Sequence, residues 1–160
     1  MSVEQEIKEL RNKLDELEKQ VKEKKITGRY VPAHKENYFS VTSNGAITQE
    51  QYYQGNIKDN YRISTGNCFA TKEEAEKHKT ILINTQKLKD LAERLNNGKE
   101  INWNNDCSKY YIYLEKGKLH CNWIIRIQIQ GIVYCLDESF LDKAIEEIGE
   151  ESLIELIKGE

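Results

Sequence analysis

Val3, Ile7, Leu10, Leu14, Leu17 and Val21 are spaced 4, 3, 4, 3 and 4 residues apart. That is a helical heptad seam of three repeats, with Ile7, Leu14 and Val21 at one core position and Val3, Leu10 and Leu17 at the other. β-Branched residues at two of the first set and leucine at two of the second favour a two-stranded coil. In a parallel pair Glu6 faces Arg11 of the partner and Lys13 faces Glu18, and both pairs attract. The alternative is a helix folded back on its own domain, which would normally carry a wider apolar face. The pattern therefore predicts a coiled-coil oligomerisation helix over residues 1–25.

Residues 26–37 hold Gly28 and the only proline, Pro32, in a basic setting, and read as a linker. A first hairpin follows, from Tyr38 to Thr42 and from Ala46 towards Tyr53, joined by Asn44-Gly45, whose residues both accept positive φ. Gln54 to Asn60 is a polar loop, and Tyr61 to Ile63 a short segment after it. Thr71 with Glu74 three residues on is a capping box, so a helix is expected from Lys72 to about Leu95. Ala75, His78, Leu82, Leu88, Leu91, Ala92 and Leu95 would share one face, and Asn96-Asn97-Gly98 would end it.

The second half repeats the plan. Lys109 to Leu114 is a strand, Glu115 to Lys118 a turn, and Leu119 to Gln130 a strand alternating Leu119, Cys121, Trp123, Ile125, Ile127 and Ile129 against polar residues, Ile124 excepted. Ile132 to Leu136 leads to a helix with Leu141, Ala144, Ile145 and Ile148. Gly149 interrupts it before a last helix with Leu153, Ile154, Leu156 and Ile157. Asn67-Cys68-Phe69 and Tyr134-Cys135-Leu136 occupy matching places, each after a hairpin and before a helix. The expected fold is α+β: an N-terminal coiled-coil helix, then two antiparallel ββ(β)α units at residues 38–98 and 99–160.

Composition narrows the function classes. With 160 residues there is room for one ordinary core or a small core plus an appended element. No apolar run approaches the roughly 20 residues that span a bilayer, and the N-terminus lacks the order of a signal peptide, so the expectation is a cytoplasmic protein without a membrane partner. Residues 137–160 carry nine acidic residues and two lysines, a net of −7, leaving +4 on the preceding 136. That weak basic excess makes nucleic acid an unlikely partner. Cys68, Cys107, Cys121 and Cys135 form no C-x-x-C pair and read as small buried hydrophobes. A metal site from His120, Cys107, Cys121 and Cys135 would need adjacent strand residues to point the same way, so no metal and no cofactor are expected.

Tyr38-Phe39, Ser43 to Gly45, Asp59 to Arg62, and the junction G-N-x-F-x-T-x-E-E-A at Gly66 to Ala75 resemble a family of small phage and prophage proteins of Gram-positive bacteria. The charged N-terminal helix and the closing A-x-x-E-I-G-E-E at Ala144 to Glu151 are similar to that family as well. The resemblance covers most of the chain and implies a mobile-element origin. It brings no catalytic residues; it implies a modulator of a host process, including antagonists of host defence.

The chain has no G-x-S-x-G, H-E-x-x-H, P-loop or G-x-G-x-x-G pattern, and its three histidines are scattered. A catalytic set needs a nucleophile, a base and an orienting partner, so no enzyme is expected. Trp103 and Trp123 read as core anchors. Tyr52, Tyr53, Tyr61, Arg62, Asn67 and Arg126 lie at strand ends or on the polar strand face; tyrosine and arginine can stack on a base, and arginine can fork a phosphate. Sheets also favour tyrosine for packing alone. Tyr53, Tyr61, Arg62, Asn67 and Arg126 are thus the candidate ligand residues, for a homo-oligomer that sequesters a small nucleotide signal. The alternatives are an inhibitor that binds a host protein through the acidic C-terminal helices or the exposed sheet, and a nucleic-acid-binding accessory using the basic stretch from Lys22 to Lys35.

Overall fold

The computed structural model describes residues 5, 7, 9–15 and 30–159. Residues 9–15 form α1, and residues 5 and 7 are helical too. Ile7, Leu10 and Leu14 are 46, 67 and 57% exposed there. Val3, Leu17 and Val21 of the expected seam, and residues 26–29 of the expected linker, lie outside the described residues. The chain divides into two compact units, residues 1–76 and 77–160.

In the first unit β1 (Asn37–Val41) pairs antiparallel with β2 (Ile47–Gln51), with Tyr38 opposite Glu50 and Ser40 opposite Thr48. Only Gly45 of the turn takes a positive φ, 78°. Thr42 N–H closes the loop on the Ala46 carbonyl at 2.8 Å, so the connection is longer than a two-residue turn. The stretch expected to be loop plus a short segment is a helix, α2 (Ile57–Ser64), capped by the Asn56 side chain on the Lys58 and Asp59 amides. Apolar periodicity could not reveal it. Its buried residues are Asp59 and Arg62, so its inward face is polar.

A third strand is reduced to one antiparallel bridge, Phe39 with Phe69. At the next position the Asn67 side chain stands in for a strand residue: its Oδ1 accepts from Val41 N–H at 2.8 Å and its Nδ2 donates to the Val41 carbonyl at 2.6 Å. The helix α3 (Lys72–Leu95) then begins and ends where the sequence predicts. Glu74 N–H donates to Thr71 Oγ1 at 3.2 Å, and Glu74 Oε2 accepts from Ala70 N–H at 3.1 Å, a capping box reaching one residue further back. Leu82, expected on the apolar face, is exposed, while Ala75, Leu88, Leu91 and Ala92 are buried.

In the second unit β3 (Lys109–Glu115) pairs antiparallel with β4 (Lys118–Ile124) through a tight turn in which Lys116 and Gly117 both have positive φ, 50° and 78°. The left-handed two-residue turn therefore sits at Lys116-Gly117 and not at Asn44-Gly45. Tyr110 exchanges two backbone bonds with Cys135, at 2.7 and 2.9 Å, the counterpart of the Phe39–Phe69 bridge. Each unit thus has a hairpin and one bridge onto its first strand, and the helix that follows the first bridge, α3, belongs from residue 77 onward to the second unit. The strand expected to reach Gln130 stops at Ile124, because β3 begins at Lys109 and offers nothing further to pair with. Ile127 and Ile129 are accordingly exposed, and so is Trp123, which is no core anchor.

Helices α4 (Phe140–Ile148) and α5 (Glu150–Lys158) follow. Gly149, at φ 92° and ψ 143°, ends one and starts the other. Phe140, Ala144 and Leu153 pack with Leu88, Leu91 and Ala92 of α3, Ile112 of β3 and Cys135 to form the apolar core of this unit. Among the described residues no helix is long and apolar enough to cross a membrane.

Candidate ligand-binding face

Of the five residues expected to bind a ligand, Tyr53, Tyr61, Arg62 and Asn67 lie in the first unit and Arg126 in the second. Arg62 is 8% exposed and built into the first unit. Its Nη1 donates to the Tyr38 hydroxyl at 2.8 Å, and its Nη2 meets Glu50 Oε1 at 2.6 Å. The Tyr38 hydroxyl in turn donates to Asp59 Oδ1 at 2.7 Å, and Asp59 Oδ2 accepts from Tyr53 N–H at 3.0 Å. Lys58 adds a second cation to Glu50 at 3.0 Å. The Arg62 hydrogen bond holds the Glu50 carboxyl down at about 2, and Glu50 raises the arginine in return. Burial pushes the Tyr38 phenol up to about 12.

Asn67 is spent on the Val41 backbone. Tyr53 is exposed, donates to Gln51 Oε1 at 2.6 Å and has the His34 ring edge-on at 5.9 Å. Tyr61 is exposed, and Arg126, in the second unit, is exposed and paired with Asp106 at 2.7 Å. In two of the five, then, the polar groups that made the residue a candidate already satisfy the fold.

What the structure does bring together is a chain of rings in the second unit. The register puts Lys109, Tyr111 and Tyr113 on the same sheet face as Ile124, Asn122 and His120, opposite the face whose Ile112 enters the core. Tyr113 stacks on His120 with centroids 5.4 Å apart and planes 30° apart. Tyr111 lies 5.9 Å from both Tyr113 and Tyr134, and Tyr134 receives Trp103 edge-on at 4.9 Å. Tyr134 is buried and its hydroxyl accepts from Ile129 N–H at 2.9 Å, while Tyr111, Tyr113, His120 and Trp103 remain partly exposed. Trp103 anchors this face, not the apolar core.

Beneath the rings lies a fully buried lysine. Lys109 Nζ donates to the Ile125 carbonyl at 2.8 Å, to Asn105 Oδ1 at 2.8 Å and to the Asn105 carbonyl at 3.2 Å, and it sits 5.6 Å from the Trp103 ring centroid. All three ammonium hydrogens have acceptors, but every acceptor is neutral. The positive charge is hydrogen-bonded without being cancelled, which favours a negative group on this face. Lys118 continues the same face beyond His120, and Asn122 is exposed beside Tyr111.

The remaining chemistry is dispersed. Cys68 and Cys135 are buried, and burial raises both thiols, Cys68 to about 12. Cys107, expected inside, is exposed along an open groove of about 510 Å³ that Lys99, Asn105, Ser108 and Tyr110 also line. His34 Nδ1 accepts from Gln54 N–H at 3.3 Å, and burial lowers the His78 pKa. Among the described residues no three His, Cys, Asp or Glu side chains gather as a metal site.

Sequence reasoning missed Tyr111, Tyr113, His120 and Lys109, although for Tyr113 and His120 a signal was there. A two-residue Lys116-Gly117 turn fixes His120 opposite Tyr113, so drawing the register would have paired them. No family model, curated protein or solved structure matches this chain.

Proposed function

We propose that the chain is a non-catalytic binding protein that takes a flat, anionic ligand of the nucleotide class on the aromatic face of β3 and β4. The observation that carries the reading is the ring chain from Trp103 to His120 above a buried, uncancelled ammonium. Sheet-face aromatics stack on bases, an amide such as Asn122 can read a base edge, and Lys118 with the field of Lys109 favours the phosphate. In the setting implied by the likeness to phage and prophage proteins, the ligand would be a nucleotide signal of the host, and its capture would blunt a defence response.

Isothermal titration against cyclic and ADP-ribose-type nucleotides tests this. Binding of at least one is expected, with Tyr113→Ala lowering affinity about tenfold or more, since a base–aromatic stack is worth roughly 1–3 kcal/mol. Absence of heat with every nucleotide rejects the reading. A second reading, inhibition of a host protein, draws on exposed Trp123, Ile127 and Ile129 at the end of β4. Capture of one stoichiometric host protein, lost on Trp123→Ser, would favour it.

A further inference from the structure

We infer that the second unit pairs edge to edge with a second copy of itself through β4, so that two ring faces join into one. The joining of the faces rests on the ligand reading; the pairing itself does not.

The backbone shows which edge is open. Tyr110 exchanges both of its backbone bonds with Cys135, so its N–H and carbonyl point away from β4. Its cross-strand neighbour Trp123 therefore turns its own backbone groups outward, and alternation does the same for Cys121 and Leu119. Among the described residues, the N–H and carbonyl groups of Leu119 and Cys121 and the Trp123 carbonyl have no hydrogen-bond partner. The remaining edge donor, Trp123 N–H, is held by the Asn122 side chain at 2.8 Å. Nothing blunts this edge: from Leu119 to Ile124 there is no proline, lysine, arginine or carboxylate.

The order of residues selects a second copy running antiparallel. With a twofold axis at Cys121, Leu119 stands opposite the partner's Trp123, Cys121 opposite the partner's Cys121, and His120 opposite the partner's Asn122. Apolar then meets apolar, polar meets polar, and all three outward-bonding residues find outward-bonding partners. Moving the axis to His120 sets Trp123 against Gly117, which lies in the turn, and moving it to Asn122 sets Leu119 against Ile125, beyond the strand end. Either shift leaves one of the three unpaired. In the favoured register exposed Trp123 is covered by the partner's Leu119, a residue that packs against the apolar core.

The other edge of β3 is bridged to Cys135, so the hairpin offers one open edge and the pairing closes at two copies. On the ring side His120, stacked on Tyr113, comes to lie beside the partner's Asn122. The partner thus supplies a polar side chain to the site, and two marginal hairpins become one four-stranded sheet.

Amide exchange resolved residue by residue on the full-length protein tests this. The Leu119 and Cys121 amides should exchange as slowly as that of His120, which faces β3, and about a hundredfold or more faster in Trp123→Lys, which puts a charge on the edge. Should Trp123→Lys not fold, Trp123→Pro blocks the same edge by removing a donor that the β3 ladder does not use. A slow His120 amide shows that either variant keeps its hairpin. In a dimer of isotope-labelled and unlabelled chains, an Hα–Hα contact between His120 and Asn122 of different chains marks the register, because these two form a close, non-hydrogen-bonded pair. Fast exchange at Leu119 and Cys121 in the wild type, or slow exchange that both variants retain, overturns the inference. So does protection that appears only when a foreign protein or peptide is added. A dimer without the His120–Asn122 contact overturns the register. Nucleotide titration is read separately: slow edge amides without heat from any nucleotide keep the pairing and reject the ligand reading, and heat with fast edge amides does the reverse.

Discussion

The two units share a hairpin with one bridge onto its first strand, and the interior of each is held by different physics. The second is closed by apolar packing of Phe140, Leu153, Ile112, Leu88 and Leu91. In the first, the interior includes Tyr38, Asp59 and Arg62, linked to half-buried Glu50 by hydrogen bonds and charge. No buried side-chain nitrogen or oxygen among the described residues lacks a partner, so that polar interior is fully satisfied. The lesson is that a common plan does not imply a common response: apolar cores are largely indifferent to pH and salt, whereas ionic ones depend on protonation.

The largest effect expected from breaking this contrast lies in the apolar core. Phe140→Ala should cost about 3–5 kcal/mol by cavity formation. Both tryptophans, Trp103 and Trp123, lie in the second unit, so urea unfolding followed by tryptophan emission reads that loss directly. Next comes Arg62→Leu, which takes the guanidinium from the Tyr38 hydroxyl, leaves Glu50 with only the more exposed Lys58, and should cost the first unit about 2–3 kcal/mol. Amide exchange in β1 and β2 should accelerate while tryptophan emission stays unchanged; equal loss in both units would break the comparison.

Acid sharpens it further. The folded Glu50 carboxyl is held from 4.5 down to about 2, so its stabilisation is complete above the unfolded value and disappears as pH falls through the folded one. Between about pH 4.5 and 2 the first unit should lose about 2 kcal/mol, allowing for partial exposure, and Glu50→Gln should flatten that slope. The smallest effect is expected from Glu147→Gln. Its ion pair with Arg94 is a glutamate–arginine contact like that of Glu50 but open to solvent, so thermal unfolding should move by no more than about 0.5 kcal/mol.

Legibility of the fold followed the same division. Where burial was apolar, the sequence was readable: the bounds of α3, the Gly149 break and the terminal helices follow from caps and spacing. Where burial was polar, it was not. Asp59 and Arg62 look like surface residues in a loop, and only the partner ring of Tyr38, some two dozen residues away in the chain, makes them interior. The candidate site residues show a related effect. Arg62 and Asn67 were singled out for groups that can bind a ligand, and those same groups are what the fold itself uses. Lys109 was invisible because a buried lysine held only by neutral acceptors has no sequence signature.

Gly149 shows another kind of constraint. A Cβ there would come within 4 Å of nothing, so no neighbour would record the reason for the residue. Its backbone torsions nonetheless belong to glycine, and they turn the chain between α4 and α5 with no linker at all. In a saturation screen this site should reject all nineteen replacements equally, small and large alike, whereas Phe140 should grade them by volume. Intolerance that ignores size is the imprint of a torsion, and it separates a pivot from a packed position without any view of the surroundings.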